Sequence, residues 1–337
     1  MRLRCIGLIG MFVLLTACGQ QHESSPGASS SMVVALHTAP GLYRQPRWSP
    51  DGQAIGVRFV GEGTPFPFIV TVLDSAGQRT HTITSDQYSP DNAFAGPETL
   101  AWHPDGSLWV AVDLVTQQEL RQGLLEDRDA LAQWRADGPT AAITLTQQNL
   151  PPILDMAWSP DGSTLLAEQY IGTRVRSSDQ RPSGITAFSA VPPTWVQWQV
   201  HDTLLSHPRW SPAGDAVVYV ASTAPGKIMP VESELVVRSW ETQAVQHLTP
   251  EPGCSYIQPS WSPDGRYLLY REFCNNSSRK LVDHLLVSSY PAFDTQMEVC
   301  DGMALVEPDW GRHGTVIATT IGVPGENTLV VCTINLP

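Results

Sequence analysis

A short polar motif recurs along the chain, and each copy is followed by a run of apolar or alternating residues. In the first copy, Ser49-Pro50-Asp51-Gly52 precedes such a run. Proline presets the φ angle of a tight turn, aspartate accepts hydrogen bonds from the nearby backbone, and glycine takes the conformation that closes the turn. Apolar runs bounded by such turns predict β-strands. The runs are residues 54–60, 108–112, 164–170, 216–221, 267–271 and 315–320.

A tryptophan stands directly before each turn, at intervals of 49 to 56 residues. Five copies of W-S-P-D-G are clear, and the sixth keeps only its tryptophan and its last glycine. The motif tryptophans are Trp48, Trp102, Trp158, Trp210, Trp261 and Trp310. One unit of this size cannot bury its own apolar face, so the repetition indicates a stacked or circular architecture. Each unit has room for two further strands, as at residues 234–240 and 244–248, and the sequence therefore predicts an all-β fold, a single six-bladed β-propeller of four-stranded blades.

The last repeat is one strand short. After Trp310 the chain has room for two strands, at residues 315–320 and 328–334, whereas residues 32–36 form an apolar run without a partner before the first motif. If this run supplies the outer strand of the last blade, no sheet edge is left open. We therefore expect an N-terminal strand to close the ring.

The W-S-P-D-G motif followed by an apolar strand resembles the WD-type repeat of TolB-like propellers. The resemblance covers the chain from Met32 to its C-terminus and implies the same six-bladed fold. TolB itself carries an additional N-terminal domain to which nothing in this sequence corresponds. The resemblance is therefore not extended to the role of TolB.

The N-terminal residues predict export. Arg2 and Arg4 precede a short apolar run that ends in Leu15-Thr16-Ala17-Cys18. A basic start, a short apolar stretch and small residues are typical of a signal peptide, and the run is shorter than the ~20 apolar residues of a membrane-spanning helix.

The end of this signal resembles the bacterial lipobox, which implies removal of residues 1–17 and lipidation of Cys18. The alternative is an ordinary cleaved signal that contains a cysteine. Gly19, rather than aspartate, follows, so the lipoprotein would lie on the periplasmic side of the outer membrane in a Gram-negative host. Residues 18–31 are polar and rich in serine, which predicts a flexible tether before the propeller at 32–337.

The charge of the chain narrows the choice of partner. The formal net charge is −13, and removal of residues 1–17, with two arginines and no acid, lowers it to −15. Nucleic-acid binding depends on Lys and Arg that neutralise phosphates, and adhesion to anionic lipid needs the same residues. We therefore expect a protein or peptide partner in the cell envelope, membrane attachment through the lipid alone, and a monomeric chain.

Four of the six cysteines remain once Cys5 is cleaved off and Cys18 is lipidated. An even number in an oxidising compartment predicts two disulfides, for which three pairings exist. We favour Cys254–Cys274, since these residues begin and end neighbouring predicted strands, and hence Cys300–Cys332. Their spacings lack the close pairs expected of a zinc site.

The repeated side chains favour structural roles. A tryptophan at one place in every repeat is expected to pack between blades, and Asp51, Asp105, Asp161 and Asp264 are expected to cap their turns. His103 replaces a turn serine, without metal-ligand spacing nearby. The motifs of zinc proteases, phosphate loops and serine hydrolases are absent from the sequence. We assign no catalytic, cofactor or metal residue and name only Cys18 as functional.

Residues 114–137 are the least β-like stretch and are interpreted as an insertion with a helix near 117–128. Insertions in repeat proteins often lie on the binding face, although a long solvated hairpin is the simpler alternative. The favoured function is a lipid-anchored, non-catalytic binding scaffold. One alternative is a metal-assisted hydrolase or lactonase that uses the central channel. Another is a carbohydrate-binding propeller that uses Trp195 and Trp198.

Overall fold

The computed structural model describes residues 32–36, 38, 40–61, 69–84, 92–116, 129–136, 142–170, 183–190, 193–199, 204–222, 232–275, 281–300, 305–320, 327–334 and 336. The strands are β1 Met32–Ala35, β2 Gly41–Trp48, β3 Ala54–Gly61, β4 Ile69–Asp74, β5 Arg79–Ile83, β6 Asn92–Trp102, β7 Leu108–Thr116, β8 Asp129–Arg135, β9 Ala142–Leu150, β10 Ile153–Trp158, β11 Thr164–Tyr170, β12 Ser183–Ala190, β13 Pro193–Gln199, β14 Leu204–Trp210, β15 Ala216–Ser222, β16 Ser233–Ser239, β17 Val245–Leu248, β18 Cys254–Trp261, β19 Tyr267–Asn275, β20 Leu281–Ser289, β21 Gln296–Val299, β22 Leu305–Trp310, β23 Thr315–Thr320 and β24 Leu329–Thr333. A 3₁₀ turn, Arg312–Gly314, lies between β22 and β23.

These strands form six antiparallel four-stranded sheets, which are the blades of a propeller. Blades 1 to 5 are β2–β5, β6–β9, β10–β13, β14–β17 and β18–β21, and blade 6 combines β22–β24 with β1. The first strand of every blade ends on a motif tryptophan, and the first strands of neighbouring blades contact one another around a central channel. The predicted all-β, six-bladed fold is confirmed.

The N-terminal strand closes the ring as predicted. β1 pairs with β24 in the register Met32↔Thr333 to Ala35↔Val330, and the Leu36 backbone N–H donates to the Leu329 carbonyl over 2.9 Å. Leu36 also packs against a blade 1 cluster that contains Tyr43. The strand therefore completes the sheet of blade 6 and contacts the core of blade 1.

Each motif turn is a hydrogen-bonded hairpin. In blade 1 the Gly52 N–H donates to the Ser49 carbonyl (2.9 Å) and the Ser49 N–H to the Ala54 carbonyl (2.8 Å). Gly52 has a φ of 73°, a left-handed conformation that glycine adopts without steric cost. Asp51 Oδ1 accepts hydrogen bonds from Ser49 Oγ and the Gln53 N–H. The turn aspartate thus stabilises the connection between the first and second strands.

The core lies between blades, where apolar side chains of adjacent sheets interlock. One cluster joins Leu166 and Ile185 of blade 3 to Trp210 and Val217 of blade 4. Trp158, Trp210, Trp261 and Trp310 are each 5–8% exposed. A buried tryptophan removes a large apolar area from water, so the repeated residue holds neighbouring blades together.

Two disulfides lie in the last two blades. Cys254–Cys274 joins β18 to β19, and Cys300–Cys332 joins the end of blade 5 to β24 of blade 6. Both disulfides are the pairings favoured from the sequence, and that prediction is confirmed. Disulfides of this kind persist in oxidising compartments and are rare in the cytosol.

The structure corrects the interpretation of residues 114–137. Both ends belong to the sheet of blade 2: β7 runs to Thr116, and Asp129–Arg135 forms β8. Trp134 and Leu131 are buried on opposite faces of that strand, against blades 1 and 3 respectively. The alanines of this strand and the charged residues at its two ends, Asp129 and Arg135, hid a strand that is buried on both faces. The helix expected near 117–128 lies outside the described residues.

Within the described residues, no helix has the length and apolar character needed to cross a membrane. Residues 1–31, which include the predicted signal peptide, Cys18 and the predicted tether, lie outside the described part of the chain.

Candidate functional site

The six motif turns lie together on one face of the propeller, which we call the turn face. Because strands alternate in direction, the turn face carries the connections between first and second strands and between third and fourth strands of each blade. The opposite face carries the connections between second and third strands and between one blade and the next. Any site built from the motif repeats therefore opens on the turn face.

The mouth of the central channel forms a funnel on the turn face, with a volume of about 320 Å³. All six motif tryptophans contribute to its wall, together with turn prolines such as Pro160 and Pro212. Four charged residues, Arg47, Arg209, Asp309 and Arg312, also line it. The funnel thus combines apolar walls with a charged interior.

A buried ion-paired bridge links three blades in the channel wall. Asp155 of blade 3 lies 2.8 Å from Arg209 Nη1 of blade 4 and 3.7 Å from Arg47 Nη2 of blade 1. The side chains are only 3–12% exposed. Burial alone would raise the pKa of Asp155, but Arg209 and Arg47 outweigh it and hold that pKa below its ordinary value. Asp155 is therefore a carboxylate shared by two guanidinium groups.

A second set of polar side chains lies around a smaller cavity in the channel, which Arg47 and Arg209 also line. Its members are Gln45, His207, Gln258 and Glu307. Each stands three residues before a motif tryptophan, immediately precedes a proline, and has a φ of 51–55°. Left-handed backbone is uncommon for residues other than glycine, and here it accompanies a break in the pairing register of the first strand, as between Arg44 and Arg47.

Side-chain oxygens of this set connect successive blades. The Glu307 N–H donates to Gln258 Oε1, and the Gln45 N–H donates to Glu307 Oε2, both over 2.9 Å. Blades 5, 6 and 1 are therefore joined across the point where the ring closes. Sequence reasoning missed these residues, although the signal was present as a polar residue followed by proline before four of the six tryptophans.

Glu168 and His207 form a buried contact beside the Asp155 bridge. The His207 backbone N–H donates to Glu168 Oε2 over 3.0 Å. Burial, with the neighbouring Asp155 charge, raises the pKa of Glu168 to about 8. Burial lowers the pKa of His207 to about 4. Near neutral pH the carboxyl is thus largely protonated and the imidazole is neutral.

These two groups make stability depend on pH in opposite directions. Between about pH 4 and 6.5 the unfolded chain binds the His207 proton and the folded chain does not, so stability rises with pH. Between 4.5 and about 8 the folded chain keeps the Glu168 proton that the unfolded chain has lost, so stability falls with pH. From pH 6.5 to 8, of these two groups only Glu168 still changes the stability, and it lowers the free energy of unfolding by about 2 kcal/mol across that range.

Glu168→Gln should remove this decline, because glutamine keeps a neutral side chain at every pH. Urea unfolding at pH 6.5 and pH 8 measures the free energy of unfolding of both proteins. Glu251→Gln, at an exposed position, is the control and should retain the decline. An equal decline in Glu168→Gln would show that Glu168 is already ionised in the folded chain.

Two further cavities open on the turn face between blades. Cleft 1/2, about 480 Å³, lies between blades 1 and 2, and cleft 3/4, about 380 Å³, lies between blades 3 and 4. A motif tryptophan forms part of each wall, Trp102 in the first and Trp210 in the second. Within the described residues, three such openings thus lie on the turn face, and motif residues form part of the wall of each.

The other residues singled out in the sequence lie as follows. Asp105, Asp161 and Asp264 each accept a hydrogen bond from the backbone N–H two residues later. His103 packs edge-on against Trp158, and its Nε2 lies 3.2 Å from the Gly162 carbonyl oxygen. The side chains of Trp195 and Trp198, considered for carbohydrate binding, lie outside the described residues, as does Cys18.

One group of three potential metal ligands occurs among the described residues, namely Cys254, Glu272 and Cys274. Its two sulfur atoms are bonded to each other. Metal-binding cysteines act as thiolates, so the disulfide leaves a single carboxylate at this place.

No protein-family profile matches the sequence, and no curated protein is similar to it in sequence. Its fold is similar to those of several solved structures. TolB from Acinetobacter baumannii is 15% identical, with a TM-score of 0.53 over 80% of this chain, and the chain spans 57% of the length of that protein. An oligogalacturonate lyase from Vibrio parahaemolyticus is 13% identical, with a TM-score of 0.54 over 92% of this chain and 95% of that one.

A further oligogalacturonate lyase, in complex with manganese, is 17% identical, with a TM-score of 0.52 over 88% of this chain and 78% of that one. At such identities the likeness shows the fold alone. The same propeller is thus found in proteins called TolB and in lyases, and function must be argued from the sites of this chain.

Proposed function

We propose that the chain is a lipid-anchored propeller of the cell envelope that binds a protein or peptide on its turn face. One observation carries the proposal: three openings of about 320 to 480 Å³ lie on that face, and repeat residues line all of them. Adjacent concave sites on one rigid face suit a macromolecular partner, which can occupy several at once. The charge of −13 favours a basic partner.

The location rests on two features. The disulfides Cys254–Cys274 and Cys300–Cys332 favour an oxidising compartment. The resemblance of residues 15–18 to a lipobox favours attachment through Cys18, with residues 19–31 as a leash. A lipid anchor and a leash would hold the propeller near the membrane while a face remains free to bind.

Site-directed photocrosslinking in the native envelope tests the function. A photoreactive amino acid is placed at exposed positions of the turn face, Pro104, Pro160 or Pro263, and at Glu251 or Pro252 on the opposite face as matched controls. We expect one partner to be captured from the turn-face positions and not from the controls. Cys18→Ser should leave the protein in the soluble fraction and weaken capture.

Capture confined to the control positions would overturn the assignment of the turn face. Failure to capture any partner from either face would overturn the binding module itself.

A metal-assisted hydrolase is the second candidate, and one observation favours it. Gln45, His207 and Glu307 direct possible oxygen and nitrogen ligands toward one small cavity in the channel, and Gln45 Oε1 is buried there without a hydrogen-bond partner among the described residues. Two guanidinium groups line the same cavity, however, and they repel a divalent cation. Residues present in this cavity therefore fit a metal poorly.

Metal content separates the two candidates. The full chain is purified without chelators and its manganese, zinc and calcium are measured. Stoichiometric metal in the wild-type chain that is lost in a Glu307→Gln variant would support the hydrolase. A wild-type metal content no higher than that of the variant would support the binding module.

A further inference from the structure

Cleft 1/2 is a largely apolar slot with one acidic edge that has no ion pair among the described residues; Asp105 also lines the slot but is paired with Arg135. Trp134 of β8 and Trp102 form its aromatic wall, and His81 stacks edge-on against Trp134 with ring centroids 5.1 Å apart. Pro50 and Asp51 of the blade 1 turn form the edge. The volume of the slot, about 480 Å³, lies in the range of small-ligand pockets.

Cleft 3/4 repeats this construction two blades away. Trp240, which follows the third strand of blade 4, takes the place of Trp134 and packs against Trp210 at 4.5 Å. Pro160 and Asp161 of the blade 3 turn form the edge. Both clefts therefore pair two tryptophans of one blade with the Pro-Asp dipeptide of the blade before.

The chain fills the equivalent place at two other interfaces with its own side chains. Between blades 2 and 3, His103 occupies the space beside Gly162 and packs on Trp158. Between blades 4 and 5, Tyr290 packs on Trp261 and Phe293 on Tyr290, and the blade 4 turn has Ala213 where the motif has aspartate. The blade 2 turn keeps its aspartate, but Asp105 is paired with Arg135. Neither filled interface therefore has a free acidic edge, whereas the two open clefts keep one.

The electrostatics of the two edges are also alike. Hydrogen bonds from Ser49 and the Gln53 N–H hold the pKa of Asp51 below its ordinary value, and bonds from Ser159 and Ser163 do the same for Asp161. Neither carboxylate has an ion pair within the part of the chain that the structure describes. The charge of Arg312 lies close enough to Asp51 to add to the lowering of its pKa, and no cation of the described residues acts on Asp161 in this way. No lysine or arginine is among the described residues that line either cleft.

We propose that clefts 1/2 and 3/4 are docking pockets for a basic peptide segment of the partner, each taking an apolar or aromatic side chain whose neighbour is lysine or arginine. This inference rests on the proposed function and names the chemistry of the partner. The tryptophan walls take the apolar anchor, and Asp51 or Asp161 pairs with the adjacent cation. A segment that reaches both clefts gains affinity from the second contact without a new type of interaction.

Labelled peptides provide the probe. The peptide Gly-Arg-Phe-Arg-Gly, singly or as a linked tandem, is titrated against the full chain by fluorescence anisotropy. Gly-Asp-Phe-Asp-Gly and Gly-Arg-Gly-Arg-Gly are the matched controls for charge and anchor. We expect binding by the Arg-Phe-Arg peptides alone, with the tandem tighter, and a decrease with added salt.

Variants assign the binding to the clefts. Asp51→Asn and Asp161→Asn should each weaken binding about two- to fivefold. Thr80→Trp and Ala213→Trp fill clefts 1/2 and 3/4 from exposed positions, and together they should weaken it about tenfold or more, since an excluded anchor loses its burial. Asp264→Asn is the control, because Asp264 occupies the same turn position but is paired with Arg266 at 2.6 Å.

Equal binding of the acidic peptide, or binding unchanged in the doubly filled protein with an unchanged melting temperature, would overturn the inference. Photocrosslinking in the envelope separates this failure from that of the proposed function. A partner that the doubly filled protein still captures would leave the binding module standing and exclude the clefts as its docking sites.

Discussion

Deletion of residues 32–36 should lower the melting temperature of the protein by at least about 5 °C. The deletion removes β1 from the sheet of blade 6, together with the hydrogen bond from Leu36 to Leu329 and the packing of Leu36 on blade 1. For a domain of about 300 residues the unfolding entropy is about 0.6 kcal/mol per degree, so this shift corresponds to about 3 kcal/mol. Differential scanning calorimetry measures it directly.

The deletion also exposes β24 as an edge strand, and exposed edges promote association between chains. Size-exclusion chromatography should therefore show dimers or aggregates of the deleted protein. An equal deletion of residues 22–26, upstream of the propeller, is the matched control and should change neither property. A melting temperature that matches the control would mean that the ring is stable without its N-terminal strand.

The architecture could be predicted because its determinants are local. A tight turn requires Pro, Asp and Gly within four residues, and a motif such as Ser49–Gly52 shows this chemistry without knowledge of the rest of the chain. Repetition then fixed the number of blades, and the missing strand after Trp310 indicated where residues 32–36 belong. The disulfide partners followed in the same way, since Cys254 and Cys274 lie on strands that the turns had already located.

β8 escaped prediction because its pattern is not that of a half-exposed strand. Ala130 and Ala132 face blade 1 while Leu131 faces blade 3, so both faces are buried and no alternation of polar and apolar residues remains. Alanine is a weak strand former by statistics. Small residues at a packed interface between blades thus gave no local signal for a strand.

The channel and the clefts depend on contacts between residues that are distant in sequence. Asp155, Arg47 and Arg209 meet only because the ring places blades 1, 3 and 4 around one axis. A motif tryptophan lines an open cleft only where no side chain of another blade fills the space beside it. His103 of blade 2 fills that space beside Trp158 of blade 3. A single sequence shows that these residues exist, but their proximity is a consequence of the closed fold.

Asp155→Asn should destabilise the protein by about 3–5 kcal/mol, the usual cost of removing one partner from a buried ion pair. Arg47 and Arg209 would remain in the channel wall without a shared carboxylate, and asparagine offers no charge to balance them. Urea unfolding at neutral pH measures the loss. Asp105→Asn is the control, because Asp105 pairs with Arg135 at a partly exposed position, where such a pair is worth about 0–1 kcal/mol.

A neutral replacement of the whole bridge tests the cause of this loss. Arg47→Met, Arg209→Met and Asp155→Leu together remove all three charges, and Asp309→Asn is added because Asp309 lies close enough to Arg47 for their charges to interact. Apolar replacement of buried ion pairs is often neutral or stabilising, so this variant should unfold near the wild-type denaturant concentration. A loss as large as that of Asp155→Asn would show that the three side chains are needed for packing. Wild-type stability of this variant would show that the loss in Asp155→Asn arises from unbalanced buried charge. Photocrosslinking with the same variant would then show whether the removed charges contribute to partner binding at the funnel.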